Sequence, residues 1–238
     1  MKKWLGIAIL CIVLGVTLVF IQQRFTAMDS MTNWHVPLSG KVIILDPGHG
    51  GVDGGSSSKD GVLEKEVALE VALMLREYLQ EAGALVFMTR EGDYDLARED
   101  LKGYSNRKRE DLNKRAEIVN ESGGDMFVSI HLNAVPSSRW NGAQTFYHPR
   151  VPDNHMLAYF IQDEMMNNLE NSSRTIKSIE ELFILRRAHI PGVLVEAGFL
   201  SNPSDASYLK TEEYQNKVAV SIYRGILRYY SGEEIEES

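Results

Sequence analysis

Three short apolar, β-branched runs constrain this chain more than any other feature: Val42–Leu45, Met126–Ile130 and Val193–Val195. Each run ends at or just before a residue that can do chemistry. His49 follows the first, across Asp46-Pro47-Gly48, while His131 and Glu196 directly follow the other two. Continuous apolar runs of this length read as strands buried on both faces. Stretches of helical periodicity lie between them. Strands alternating with helices predict an α/β domain with a mainly parallel sheet covered on both sides. In such sheets, ligand sites gather beyond the carboxyl ends of the strands.

The first run opens the stretch KVIILDPGHGGVDGG, Lys41–Gly55. Asp46-Pro47-Gly48 is expected to stop the strand, because Pro lacks a ladder donor and Gly permits sharp turns. His49 is followed by Gly50, Gly51, Gly54 and Gly55, so a ligand could approach its imidazole closely. A phosphate loop does not fit, since no Gly-Lys-Ser/Thr follows. A dinucleotide loop fails at Asp53, which stands where the third glycine is needed for close packing. A metal ligand and an ordinary turn histidine remain open on this stretch alone.

A helix is expected from about Leu63 to Ala82, stopped by Gly83, with Val67, Ala68, Val71, Leu75 and Leu79 as its apolar stripe. Glu64 continues that stripe and should point inward, either as compensation for the helix dipole or as a ligand facing His49. Glu66 and Glu70 project elsewhere. Ala84–Thr89 reads as a strand, and Arg90–Arg109 as a long charged surface loop, solvated and able to cover a cleft as a lid. A second helix over Asp111–Glu121 should bury Leu112, Ala116 and Val119. Gly142–Tyr147 reads as a further strand and His155–Leu169 as an amphipathic helix. A last helix starts at Asp205 or Tyr214 and ends at Tyr230. No internal repeat or appended binding module is found.

The chain has 238 residues and 44% hydrophobic content, enough for one domain with a full core. Its net charge of -8 argues against nucleic acid as a partner, so a polyanionic substrate would have to be gripped locally in a cleft. Trp4–Ile21 is apolar or small throughout and follows Lys2 and Lys3. It is about long enough to span a bilayer core, which takes roughly 17–25 residues. It exceeds a usual signal-peptide core and no A-x-A site follows, so it reads as an uncleaved membrane anchor with the remainder outside the cytoplasm. Residues 1–21 are then cytoplasmic tip and anchor, 22–40 a tether, 41–230 the catalytic domain and 231–238 a disordered acidic tail. Cys11 is the only cysteine, so the exported part holds no disulfide.

His49, His131 and Glu196 thus fall at one sheet edge, with Glu64 opening the helix after the first of them. Two imidazoles and one carboxylate with an open fourth position make a catalytic zinc set, leaving the second carboxylate free to act as a base. Neither H-E-x-x-H nor H-x-x-E-H is present, so the ligands come from separated elements. His35, His148 and His155 read as structural; His189, before Pro191, is expected near the site, in a structural role.

LDPGHGG at Leu45–Gly51, LEKE at Leu63–Glu66, SIHLNA at Ser129–Ala134 and VEAGFLSNP at Val195–Pro203 resemble the zinc-dependent N-acetylmuramoyl-L-alanine amidases, the amidase-3 group. The resemblance runs from about Lys41 to Tyr230 in the family's order. It implies a single α/β domain with a mostly parallel, six-stranded sheet, one zinc ion on His49, Glu64 and His131, and Glu196 as the catalytic glutamate. Ala197 stands where the family often has Thr or Val.

The short anchor, the absence of wall-binding repeats and the segment LKGYSNRKREDL resemble the germination-specific amidases of endospore formers. That subgroup implies spore-cortex peptidoglycan as substrate. Peptide removal there precedes muramic-δ-lactam formation, which a separate deacetylase completes. Two rival activities share these residues: a zinc carboxypeptidase cutting within the stem peptide, and a membrane-tethered wall-binding protein with a vestigial site. A protein partner for localisation or activation is a further expectation.

Overall fold

The computed structural model describes residues 36–169 and 171–235, together with the isolated positions 15 and 17. Residues 1–36 and 37–238 separate as two units. In the first, Gly15 and Thr17 are helical and exposed. The rest of the expected anchor Trp4–Ile21, and the tether up to His35, lie outside the described residues. Among the described residues no helix is long and apolar enough to cross a membrane.

Six strands form one sheet: β1 (Val42–Pro47), β2 (Leu85–Met88), β3 (Met126–Asn133), β4 (Gln144–Tyr147), β5 (Lys177–Ser178) and β6 (Gly192–Phe199). Their order across the sheet is β2-β1-β3-β6-β4-β5. β2, β1, β3 and β6 run parallel, whereas β4 is antiparallel to β6 and β5 follows β4. The helices are α1 (Glu64–Glu81), α2 (Tyr104–Glu121), α3 (Asp153–Leu169), α4 (Phe183–Arg187), α5 (Pro203–Leu209) and α6 (Glu212–Ser231).

Alternation along the strands divides the sheet into two unlike faces. Ile43 and Leu45 of β1, Met126, Val128 and Ile130 of β3, and Val193 and Val195 of β6 join one large core with α1, α3 and α6. The intervening residues face the other way. Ile44, Phe127 and Leu194 make a small cluster with Val119 of α2 and with Ile184 and Leu185 of α4. Toward the carboxyl ends that second face turns polar. Ile44 gives way to Asp46, Phe127 to Ser129 and then His131, and Leu194 to Glu196.

Several boundaries differ from those expected. β1 runs through Pro47, whose register partner is Ile130, so the proline ends the strand from inside it. α2 begins at Tyr104 rather than Asp111, and its buried residues are Asp111, Arg115, Ala116 and Val119, with Leu112 only half-buried. The helix was hidden because half its inner face is charged. The last helix is two. Asn202 caps α5, accepting from the Ser204 and Asp205 amides at 2.9 and 3.1 Å with Pro203 in the first turn. Thr211 then caps α6, which ends at Gly232 in the left-handed region. β5 and α4 are too short for periodicity to reveal.

The segment 91–103 is neither free nor fully solvated. Asp93 accepts from Lys65 Nζ and from the Gly51 amide, both at 2.8 Å, and Asp95 pairs with Arg107. Arg90 is buried, at 1% exposure. The segment is fastened down beside the glycine loop, contrary to the expectation of a solvated lid.

Candidate metal centre

His49 stands at the end of a tightly held loop. Among the described residues it is the one non-glycine with positive φ, at 61°. That left-handed conformation costs an L-residue roughly 1–2 kcal/mol and persists only where the surroundings dictate it. Two buried arginines do so. Arg115 donates to the Pro47 carbonyl at 2.7 Å and to the His49 carbonyl, and it pairs with Asp46 and Asp111 at 2.7 Å each. Arg90 donates to the carbonyls of Pro47 at 3.0 Å, Gly48 at 2.7 Å and Lys65 at 2.8 Å. Burial and the neighbouring Arg115 lower the Arg90 pKa to about 10, which leaves it charged at neutral pH.

His131 is placed by ordinary strand geometry. It sits on β3 opposite Glu196 on β6, so the two side chains leave the same face of the sheet. Glu64, the first residue of α1, is buried and points in as expected, whereas Glu66 and Glu70 are exposed. Its Oε1 lies 3.0 Å from His49 Nε2 and 2.9 Å from His131 Nδ1. Its Oε2 accepts from the Ser56 amide at 2.8 Å and its Oε1 from the Leu132 amide at 3.1 Å. One ligand atom from each of His49, Glu64 and His131 falls within 4.8 Å of the others.

The surroundings fit a small cation. Two imidazoles and a carboxylate match the donor preference of zinc, with room for a further ligand. A Cβ on Gly48 would stand 2.3 Å from the His131 ring, and one on Gly55, at φ +68°, would stand 2.7 Å from Glu64 Oε2. These two glycines keep open the space around His131 and Glu64. Glu196 is half-buried, but its Oε2 is sealed from solvent and has no hydrogen-bond partner among the described residues. A cleft lined by His49, Glu64, His131, Asn133 and Glu196 opens over the group.

Charge coupling in the cluster is strong. Burial raises Glu196, the Glu64 charge raises it further, and His49 opposes, leaving its pKa at about 8. Burial alone would lower His49, but the Asp53 and Glu64 carboxylates outweigh it and lift the imidazole to about 9. Burial would raise Glu64, yet His131 and His49 hold it well below the usual carboxylate range.

The structure also brings in residues that the sequence reading passed over. Asp53, noticed only as a misplaced residue in a dinucleotide loop, has its Oδ2 2.9 Å from His49 Nδ1, off the line of a straight hydrogen bond. An acidic residue four positions after a candidate ligand, inside an otherwise glycine-rich loop, was the available signal. Arg90 and Arg115 carried none, being two among many charges. His189 is exposed and precedes β6, at the opposite end of that strand from Glu196, so the expectation that it lies near the site is not met. His148 follows antiparallel β4 and lies away from the site edge, and His155 packs edge-on against Tyr147.

Comparison with known proteins gives matches over most of the chain. Residues 43–228 match the family model described as N-acetylmuramoyl-L-alanine amidase. The chain is 51% identical to the germination-specific N-acetylmuramoyl-L-alanine amidase of Bacillus subtilis, over 96% of this chain and 95% of that protein. Among solved structures, the CwlD amidase of Clostridioides difficile in complex with the GerS lipoprotein is 42% identical, with a TM-score of 0.79. That match covers 81% of this chain and 99% of CwlD. An N-acetylmuramoyl-L-alanine amidase of Clostridium difficile 630 is 29% identical, with a TM-score of 0.71, covering 82% of this chain and 98% of that one.

Proposed function

The chain belongs to the N-acetylmuramoyl-L-alanine amidase family, and on that premise we propose how its own residues carry out the hydrolysis. The bond cut is the amide between the lactyl group of N-acetylmuramic acid and L-alanine in peptidoglycan. The observation that carries the reading is the convergence of His49, Glu64 and His131 beside a glutamate oxygen that nothing else satisfies.

His49, Glu64 and His131 hold one zinc ion. When bound, zinc supplies the Lewis acidity that polarises the scissile carbonyl and acidifies water toward a pKa of ~7. Glu196 is the general base: its carboxylate accepts the proton of the attacking water and then delivers it to the departing amine of L-alanine. A pKa near neutrality suits a group that must take a proton and return it, and burial puts Glu196 at about 8. A second positive centre beside the carboxylate would draw that value down toward the working pH.

The natural substrate is spore-cortex peptidoglycan, supported by the identity to the germination-specific relative. Removing the stem peptide frees the lactyl carboxyl group, which muramic-δ-lactam formation requires. The domain, residues 41–230, works outside the cytoplasm on a tether of residues 22–40, anchored through residues 1–21. The apolar run Trp4–Ile21 behind Lys2 and Lys3 supports this. Protease added to intact cells should degrade the domain but spare the tip. A protein partner is supported by the related CwlD, whose structure includes a lipoprotein.

The deciding experiment compares the full chain with its Glu196→Gln variant on purified cortex peptidoglycan. Wild type should release intact stem peptides beginning with L-alanine, read by mass spectrometry. The variant should keep its zinc and lose about 10²–10⁴ in kcat. Shortened stems still attached to the glycan would instead mean carboxypeptidase chemistry. A variant as active as wild type would remove Glu196 from the mechanism.

A further inference from the structure

We propose that Tyr104 and Lys108, on the first turns of α2, are positioning residues for the metal centre, acting through Asp53 on His49. The inference rests on the zinc reading above and extends it to residues outside the ligand set. Asp53 is nearly buried, and its carboxylate is committed on every side. Oδ2 meets His49 Nδ1 at 2.9 Å and Lys108 Nζ at 3.0 Å. Oδ1 accepts from the Tyr104 hydroxyl at 2.9 Å and from the Gly55 amide at 3.1 Å.

A ligating imidazole holds a metal well only when its other ring nitrogen is fixed, most often by a carboxylate. Here that carboxylate is carried on a glycine-rich loop whose backbone is closed between Gly50 and Asp53 by two hydrogen bonds, at 2.9 and 3.1 Å. Within the loop, the Gly55 amide donates to the carboxylate itself. The other two contacts come from α2, which Arg115 ties to Asp46 at 2.7 Å and Asp111 ties to the Leu96 amide at 2.9 Å. Lys108 also lies 5.8 Å over the Tyr104 ring, so the two side chains are placed together. The same loop is fastened a second time, at Gly51, by Lys65 and Asp93.

An exposed lysine paired with a carboxylate is ordinarily worth little, and a rim tyrosine could equally touch substrate. Both readings leave zinc affinity alone; positioning does not. The test is a zinc titration against chelators of graded strength on the full-length chain, with KM and kcat measured alongside. Asp53→Asn should weaken zinc binding by about 10–100-fold, as loss of an outer carboxylate typically does. The double variant Tyr104→Phe/Lys108→Ala should weaken it by about tenfold, with Lys108→Arg restoring most of the lysine's share.

The two effects should not add. In the Asp53→Asn background, removing Tyr104 and Lys108 should change affinity less than about twofold, because their route to His49 is already cut. Unchanged zinc affinity in the double variant, or a rise in KM alone, would overturn the proposal. So would an equal loss with and without Asp53, which would mean a general loosening of α2. Wild type without stoichiometric zinc would fail the underlying metal reading instead.

Discussion

The two faces of the sheet do different work. The face under α1, α3 and α6 is a dry core of aliphatic side chains, from Ile43 and Val128 to Ile222 and Ile226. The opposite face has a small apolar cluster at one end and an ionic one at the other. In the latter, Arg115 is buried among Asp46, Asp111 and the carbonyls of the His49 loop. Asp46 is fully engaged as well, accepting from Thr89 and Ser129 at 2.7 Å each. Burial would raise the Asp46 pKa, but Arg115 and these hydroxyls hold it below the ordinary carboxylate value. Buried ion pairs seldom stabilise a fold better than well-packed hydrophobes. Their use here is positional: they specify a backbone conformation at His49 that packing alone would not select.

The sharpest way to break this contrast is Arg115→Ala. It leaves two buried carboxylates uncompensated and should cost about 3–5 kcal/mol in denaturant unfolding, with zinc lost at the same time. A cost below about 1 kcal/mol would mean that the loop holds itself.

Acidity separates the faces next, because Tyr214, buried in the dry core, titrates only at about 12. In chelated protein the folded Glu196 binds a proton with a pKa of about 8, against 4.5 for the free side chain. Between those values the folded state keeps a proton that the unfolded state has released. Stability should therefore fall as pH rises through that window, by up to ~1.4 kcal/mol per pH unit. Glu196→Gln should remove its share of this slope and leave the decline between 6.5 and about 9 that belongs to His49. A slope identical in both proteins would assign the titration elsewhere.

Gly55→Ala sharpens the comparison at the ligands. Backbone strain of about 1–2 kcal/mol and a collision with Glu64 should loosen zinc by tenfold or more, read by chelator competition. The smallest change belongs to the dry face. Ile222→Val should cost about 0.5–1.5 kcal/mol in unfolding while zinc affinity stays as in wild type. Any loss of zinc there would show the faces to be coupled.

The same division explains what could be read in advance. The three central strands, the stripe of α1 and the residues at the strand ends were legible because hydrophobic burial leaves a periodic trace. His49, Glu64, His131 and Glu196 could be brought together from topology alone, since parallel strands put their carboxyl ends at one edge. The ionic region left no such trace. Asp111 and Arg115 stand outside the buried face expected for this helix, and Tyr104–Arg109 inside the expected loop, because polar residues buried by pairing have the same sequence signature as exposed ones. The antiparallel entry of β4 was also hidden, since a short strand does not announce its direction.

The strand order carries a further consequence, for the timing of assembly. β6 lies between β3 and β4 yet is made long after both, so the middle of the sheet is completed by the strand made last. A growing chain can contain His49, Glu64 and His131 while still lacking Glu196. Pairing across so long a separation must await chain closure. Glu196 therefore joins His49, Glu64 and His131 only after β4, β5 and the segments between them have been made.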